Sequence, residues 1–302
     1  MENNNRYNHL NEYFKKKFGE RTLKICIDGG FTCPNRDGTL STKGCIFCGN
    51  RGSGEHLNFI DIPSQVKNFF NSYKASRANK FIIYFQNFTN TYDTIENLKK
   101  KYDSALIDNR IVGISIATRP DCITEEICKL LNSYKNKLEV FVELGLQTAN
   151  DETAKIINRG YKSRVFTKAV ELLNKYNLET IVHIMVGLPN ESIIDIKNTI
   201  NFINNHNIQG LKIHSTYIIK NTELANMYQN GTYTPISLEY YIETATYILT
   251  HINPKIIIHK ISGDAPKNLL LAPSWNSHKK WILNGIDKYM RENNLYQGIY
   301  FN

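Results

Sequence analysis

Four of the chain's six cysteines fall within 23 residues of one another: Cys26, Cys33, Cys45 and Cys48. The last three read C-x11-C-x2-C in a glycine-rich loop that follows a β-rich run, LKICID from Leu23. Tetrahedral zinc wants four Cys or His ligands, commonly as two close pairs. Here one close pair exists, and Cys26 would have to complete the set from within the strand, where it alternates with Lys24 and Asp28. A buried thiol is the simpler reading of Cys26. Three thiolates on one loop suit an iron–sulfur cluster, whose usual complement is four cysteines. Three would leave one iron open to a substrate or cofactor, as catalytic zinc keeps an open position. Cys122 and Cys128 stand singly around an expected helix start and read as buried structural thiols.

The loop must be held by the elements around it. Seven β-rich runs begin at Leu23, Lys80, Val112, Leu138, Glu179, Leu211 and Lys255. Helical spacing fills the gaps: Phe166, Val170, Leu173 and Tyr176 after Ser163, then Ile193, Ile196, Ile200 and Ile203 after Glu191. Thr124, Ser237 and Ser277 are expected N-caps. Strands alternating with helices predict βα units around a parallel sheet.

The strand faces narrow the architecture. Val140, Val142, Leu144 and Leu146 make one aliphatic face, opposed by Phe141, Glu143, Gly145 and Gln147. Val182, Ile184, Val186 and Leu188 oppose Ile181, His183, Met185 and Gly187, and Val112, Ile114 and Ile116 oppose Gly113, Ser115, Ala117 and Arg119. A closed eight-stranded barrel packs its interior with branched aliphatics, and a doubly covered flat sheet is apolar on both sides. One aliphatic and one small or polar face predict instead an α/β fold: a partial, open (βα)6-type TIM barrel of parallel strands with a wet lumen and a helical C-terminal extension. The expected division is an N-terminal extension over 1–22, a barrel core over 23–220 and an extension over 221–302. In a barrel of this kind, sites are built at the carboxyl ends of the strands, which is where the cysteine loop lies.

Composition sets bounds. The 302 residues are 41% hydrophobic and 22% charged, which excludes a disordered chain. No apolar run approaches the roughly 20 residues needed to span a membrane, and the first twenty lack the apolar core of a signal peptide. A cytoplasmic protein with reduced thiols and no membrane partner is expected. With 37 basic and 28 acidic side chains the net charge is +9, which suits a polyanion partner or a lysine-rich solvated surface.

The cysteine loop, with Phe47 just before its last cysteine, resembles the radical SAM superfamily. GFTCPNRDGTLSTKGCIFC, FQNFTNTY, ATRPDC, VELGLQT, NRGY, HIMVGLPNES and SGDAPKNLLLAPSW together resemble the bacterial group of the YtqA and YhcC proteins, close to the radical SAM portion of Elp3. The resemblance runs from about Tyr7 to the final helix. It implies that Cys33, Cys45 and Cys48 ligate three irons of a [4Fe–4S] cluster and that S-adenosylmethionine (SAM) occupies the fourth. Phe47 would lie near the adenine, Glu143 and Gln147 would face the ribose and methionine portion, and Arg159 would pair with the carboxylate. Gly187 would let the backbone of the fifth strand approach the adenine. His183 and His214 share the lumen side of their strands and join this set. Where many members carry Gly-Gly-Glu after the second strand, this chain reads Gln86-Asn87-Phe88-Thr89-Asn90, so the amine contact would fall to Gln86 or Asn87.

The implied activity is reductive cleavage of SAM to a 5′-deoxyadenosyl radical, with a one-electron reductant such as flavodoxin or ferredoxin as partner. The implied substrate is tRNA, at the wobble uridine, with 5-carboxymethylaminomethyluridine converted to 5-aminomethyluridine. Arg6, Tyr7, Tyr13, Phe14, Lys15, Lys16 and Lys17 form a basic, aromatic N-terminus that suits RNA or a solvated amphipathic helix. The C-terminal His259, Asp264 and Trp275 read as packing residues. The rival readings are a radical enzyme with a non-RNA substrate and a zinc- or cluster-stabilised RNA-binding module without radical chemistry.

Overall fold

The computed structural model describes residues 5–52, 54, 55, 57 and 60–301. Its strands are β1 (Thr22–Ile27), β2 (Lys80–Phe85), β3 (Ile111–Thr118), β4 (Glu139–Gln147), β5 (Glu179–Val186), β6 (Gly210–Ser215), β7 (Ile218–Ile219), β8 (Ile257–Ile261) and β9 (Leu270–Ala272). Seven of them form one sheet in the order β1-β2-β3-β4-β5-β6-β8, with every neighbouring pair parallel. β1 and β8 end the sheet and do not pair with each other, so the expected open half-barrel is the fold. β8, from the C-terminal part of the chain, continues the same sheet. The antiparallel pair β7 and β9 stands apart.

The helices are α1 (Leu10–Phe18), α2 (Ile62–Phe70), α3 (Ile95–Ser104), α4 (Glu125–Tyr134), α5 (Asp151–Ile156), α6 (Ser163–Lys175), α7 (Ile193–Asn204), α8 (Glu223–Gln229), α9 (Leu238–His251) and α10 (Lys279–Glu292). Their apolar faces and the aliphatic faces of the strands make the main core. It gathers Val140, Val142, Leu144 and Leu146 of β4 with Leu98, Leu131, Phe166 and Ile200 from the surrounding helices. Each such side chain contributes about 1.5–3 kcal/mol when fully buried. Val112 departs from the expected face. The register of β2 with β3 skips it, pairing Phe81 with Ile111 and Ile82 with Gly113, and it packs with an inner cluster instead.

Thr124 and Ser237 cap α4 and α9 as expected, accepting from the N–H groups of Ile127 and Tyr240. Ser277 does not cap α10. It sits in a 3-10 turn, its hydroxyl donating to the Ser274 carbonyl, and His278 precedes the helix.

The amino-terminal ends of the strands are plugged by α1. Phe14 is buried against Ile82, Phe141 and Ile181, and Lys17 reaches Glu139 and Glu179, the first residues of β4 and β5, at 2.8 and 2.9 Å. Tyr13 donates to Glu179 at 3.2 Å. Three of the residues expected to meet RNA are therefore spent inside the protein. Arg6 is engaged with Asn294 and the Leu295 carbonyl, while Lys15 and Lys16 stay exposed. The segment before α1 is tied to the far end of the chain. His9 bridges Ile258, the Asn8 N–H donates to Gln297 Oε1 at 2.9 Å, and the Gln297 N–H donates to the Arg6 carbonyl at 2.8 Å. Among the described residues no helix is long and apolar enough to cross a membrane.

Candidate active site in the barrel lumen

A cavity of about 320 Å³ opens at the carboxyl ends of the strands. Cys33, Cys45 and Cys48 all stand on its wall, with Phe47, Gln86, Glu143, Gln147, Arg159, His183 and His214. The loop is shaped by its own backbone. The Arg36 and Asp37 N–H groups donate to the Cys33 carbonyl at 2.8 and 3.1 Å, and the Cys48 N–H donates to the Cys45 carbonyl at 3.0 Å. Burial raises the Cys45 and Cys48 thiols, Cys48 to about 12. Arg36 acts in the other direction on Cys48, and Arg119 on Cys45.

The NRGY segment is a clamp on this loop. Asn158 donates from Nδ2 to the Gly44 carbonyl at 2.6 Å, and Asn35 Nδ2 donates to the Asn158 carbonyl at 2.5 Å. Asn158 adopts a φ of 52°, a left-handed conformation that asparagine tolerates better than most residues. Arg159, on the cavity wall, is also engaged by the protein itself. Its guanidinium is buried and donates to the carbonyls of Leu146, Thr148 and Tyr161, with Asp151 3.5 Å away. Four hydrogen bonds from the guanidinium are thereby directed at backbone carbonyls.

Two sequence candidates lie off the cavity wall among the described residues. Gly187, with φ +88°, turns toward Ile236, which an added Cβ would meet at 3.0 Å. Its carbonyl accepts from the Tyr233 hydroxyl at 2.6 Å. Asn87 is buried under the loop at Gly54, its amide without a partner among the described residues. Cys26 is not the enclosed thiol that its strand position suggested: it is half-buried and lines the cavity. Cys128 is buried and Cys122 half-buried. Gln147, at φ 59° in the irregular end of β4, folds its amide over Gly145, where an added Cβ would meet Nε2 at 2.6 Å.

Glu143 is the centre of the lumen and fully engaged. Oε1 accepts from Lys24 at 2.7 Å and from Ser115 at 2.6 Å, while Oε2 accepts from His183 Nε2 at 2.7 Å and from Lys212. The two lysines hold its carboxyl well below the usual range despite burial. Burial lowers His183 to about 4, so the ring is neutral and carries its proton on Nε2 toward Glu143. His214, 5.2 Å from the His183 ring, is also held well below the usual imidazole range, by burial and by Lys260. Sequence reading found Glu143 and His183 but missed their partners Lys24 and Lys212 and the neighbouring Tyr84. The signal was present, since Lys212 shares the face of His214. Asp264 also reaches the cavity wall and pairs with Lys260 at 2.7 Å, whereas Trp275 packs on Tyr241 and donates to the Ile236 carbonyl.

Among the described residues no three His, Cys, Asp or Glu side chains converge closely enough to hold a single metal ion. The three loop thiols instead spread over one wall, with Arg36 and Arg119 beside them to offset thiolate charge. Arg36 Nε is buried with no partner among the described residues.

Residues 33–203 match the model of the radical SAM superfamily, and residues 208–292 match that of the Radical_SAM C-terminal domain. The chain is similar to the YtqA protein of Bacillus subtilis (strain 168), at 36% identity over 299 residues, covering 98% of this chain and 93% of that protein. The YhcC protein of Escherichia coli (strain K12) is 33% identical over 282 residues, covering 93% and 91%. An archaeal Elp3 structure, from Methanocaldococcus infernus with residues 1–46 deleted, superposes with a TM-score of 0.70 at 21% identity. It shares the fold over 91% of this chain, which spans 64% of its length.

Proposed function

This chain belongs to the radical SAM superfamily, and we propose from that premise that Cys33, Cys45 and Cys48 hold a [4Fe–4S] cluster that binds SAM. When bound, the pair supplies one-electron cleavage of the sulfonium to a 5′-deoxyadenosyl radical, with the electron drawn from an external reductant of the flavodoxin or ferredoxin kind. The observation that carries the reading is the placement of three thiols on the wall of one cavity at the carboxyl ends of the strands. Arg36 and Arg119 offset the charge of the thiolates. Phe47, Gln86 and Gln147 face the same space and are the groups left to contact the nucleoside and methionine parts of SAM. Arg159 serves by fixing the end of β4, and Asn158 and Asn35 by fixing the loop. The half-barrel walls and α1 keep water from the floor, which matters where a carbon radical would react with any misplaced group.

The test is anaerobic reconstitution with iron and sulfide, followed by EPR of the reduced protein with and without SAM. A [4Fe–4S]⁺ signal that SAM shifts, with release of 5′-deoxyadenosine, is expected. The signal should vanish in Cys33→Ala, Cys45→Ala and Cys48→Ala and persist in Cys26→Ala. A protein that binds one zinc and no cluster would overturn the reading.

The finer proposal is that the substrate is the wobble uridine of tRNA, 5-carboxymethylaminomethyluridine becoming 5-aminomethyluridine. It is supported by the resemblance of the motif set, by the +9 net charge, and by a cavity wall carrying Arg36, Arg119, Arg159, Lys212 and Lys260 against Glu143 and Asp264. Nucleoside mass spectrometry of tRNA incubated with reductant, SAM and holoenzyme checks it, and unchanged 5-carboxymethylaminomethyluridine would refute it.

A further inference from the structure

Lys212 projects from β6 onto the wall of the cavity with 7% of its side chain exposed. The titratable groups that face it are Lys24 and Cys26 of β1, Tyr84 of β2, Glu143 of β4, His183 of β5 and Lys260 of β8, with His214 on its own strand. Their charges can be tallied. Glu143 carries the one negative charge, since the His183 and His214 rings are neutral and burial keeps the Cys26 thiol and the Tyr84 phenol protonated. That carboxylate already accepts from Lys24 at 2.7 Å, and Lys260 has its own partner in Asp264 at 2.7 Å. An ammonium shut away from water is costly unless negative charge matches it. Two lysines therefore compete for one carboxylate, and Lys212 is the deeper, Lys24 being 16% exposed. Burial, with repulsion from Lys24 and Lys260, brings Lys212 down to about 7 against the pull of Glu143.

A desolvated lysine with a free lone pair is a nucleophile, and the carbonyl carbon is the electrophile it is suited to. The surroundings supply the rest. The Tyr84 hydroxyl lies 3.1 Å from Nζ, Glu143 is hydrogen-bonded to the same nitrogen, and the cavity offers about 320 Å³. We propose that Lys212 is a nucleophile of this cavity, condensing through Nζ with the carbonyl carbon of a small aldehyde to form a Schiff base. The Nζ lone pair forms the C–N bond and the C=O π pair moves onto oxygen, which takes a proton from Tyr84. The hydroxyl then leaves as water while the nitrogen lone pair closes the C=N bond. Both hydrogens of the amine end in that water, passed on by Glu143 and Tyr84, so Tyr84 regains its proton and nothing is oxidised or reduced. An aldehyde suits the site better than a ketone, because the Tyr84 ring, 4.3 Å from Nζ, and Glu143 crowd the amine. The inference rests on the function proposed above only in sharing its lumen; the amine needs neither cluster nor SAM.

The test is reductive trapping on the reconstituted protein without SAM. Acetaldehyde and cyanoborohydride at pH 7 convert an imine to a stable ethylamine, and peptide mass spectrometry follows the label at each lysine. At that pH an amine with a midpoint near 7 is half free, against roughly one part in 2,500 for an ordinary lysine near 10.4. Lower basicity offsets part of this advantage, so Lys212 should be labelled at least about tenfold faster than the exposed Lys99 and Lys155. The preference should vanish in urea, and the rate at Lys212 should rise with pH about a midpoint near 7. Glu143→Gln removes the charge that favours the ammonium and should move that midpoint down. The proposal is overturned by a Lys212 labelled no faster than Lys99 and Lys155, by a preference that survives urea, or by a midpoint that stays or rises in Glu143→Gln. Should Glu143→Gln not fold, the ratio and midpoint of the parent decide alone. Iron content and EPR on the same samples keep the two readings apart. Labelling of Lys212 in protein that takes up no cluster upholds the amine and counts against the cluster alone, and a SAM-responsive cluster beside an unlabelled Lys212 does the reverse.

Discussion

The plug formed by α1 makes a demand that can be measured. Phe14 is 2% exposed and sits among Ile82, Phe141 and Ile181, its ring 6.1 Å from that of Phe141 and 5.7 Å from that of Phe18. Truncating a buried phenylalanine to alanine typically costs about 3–5 kcal/mol, because the transfer free energy is lost and a cavity remains. The ion pairs of Lys17 with Glu139 and Glu179 share the same interface, but their side chains are 23% to 38% exposed. Pairs that solvent reaches contribute at most about 1 kcal/mol each. The ring therefore outweighs the charges. Urea unfolding followed by circular dichroism should show Phe14→Ala losing about 3 kcal/mol or more, with Lys17→Ala losing about 1–2. A Phe14→Ala loss below about 1 kcal/mol, or one no larger than that of Lys17→Ala, would refute the plug. The same variants weigh the RNA expectation for this segment. An N-terminus whose aromatics read RNA would lose RNA affinity at Tyr13 and Phe14 while keeping its stability.

Two further outcomes are expected. Asn158→Ala removes the bond to Gly44 and puts alanine at φ 52°, so iron retained per chain after reconstitution should fall. Asn158→Gly keeps the backbone conformation and isolates the lost amide; iron content equal to the parent in both variants would dismiss the clamp. Glu191, beside Asp195, is raised from 4.5 to about 7, chiefly by burial. The folded chain then holds a proton that the unfolded chain releases, so this residue's stabilisation is present below about pH 4.5 and is lost as pH rises through about 7. Glu191→Gln should flatten the fall in thermal midpoint between pH 5 and 8, and an unchanged slope would contradict the assignment.

What could be read from the sequence followed from periodicity. The alternation of Glu143 with Val142 and Leu144, and of His183 with Val182 and Ile184, placed both polar groups on the lumen side before any coordinates. The cysteine spacing located the loop. Lysine resisted the same logic, because a lone Lys in a strand is nearly always solvated. Lys212 is buried and Lys24 half-buried because each finds Glu143, on a strand that lies 69 and 119 residues away in sequence. Arg159 reaches the cavity wall as expected, but its donors are drawn elsewhere. A guanidinium beside a binding loop suits a carboxylate, but the carbonyls left open where β4 ends compete for the same donors. Gly187 was read as an approach for a ligand when Ile236, 49 residues on, fills that space. Val112 shows the limit of alternation itself, since a local register shift turns it alone to the inner face while Ile114 and Ile116 keep the expected one.

The tie between the two ends of the chain has a consequence for biosynthesis. Because α1 leaves the ribosome before any strand it will cover, Phe14 begins as exposed apolar surface. Its neighbours Ile82, Phe141 and Ile181 emerge in turn, and Ile258 and Gln297, which pin the segment ahead of the helix, emerge after all of them. Vectorial synthesis therefore yields a nascent half-barrel whose base is not fully pinned until Gln297 has emerged. Late closure of this kind lengthens the interval in which sticky surface is on display, and it makes the final turn after α10 as much a part of the barrel as its first strand.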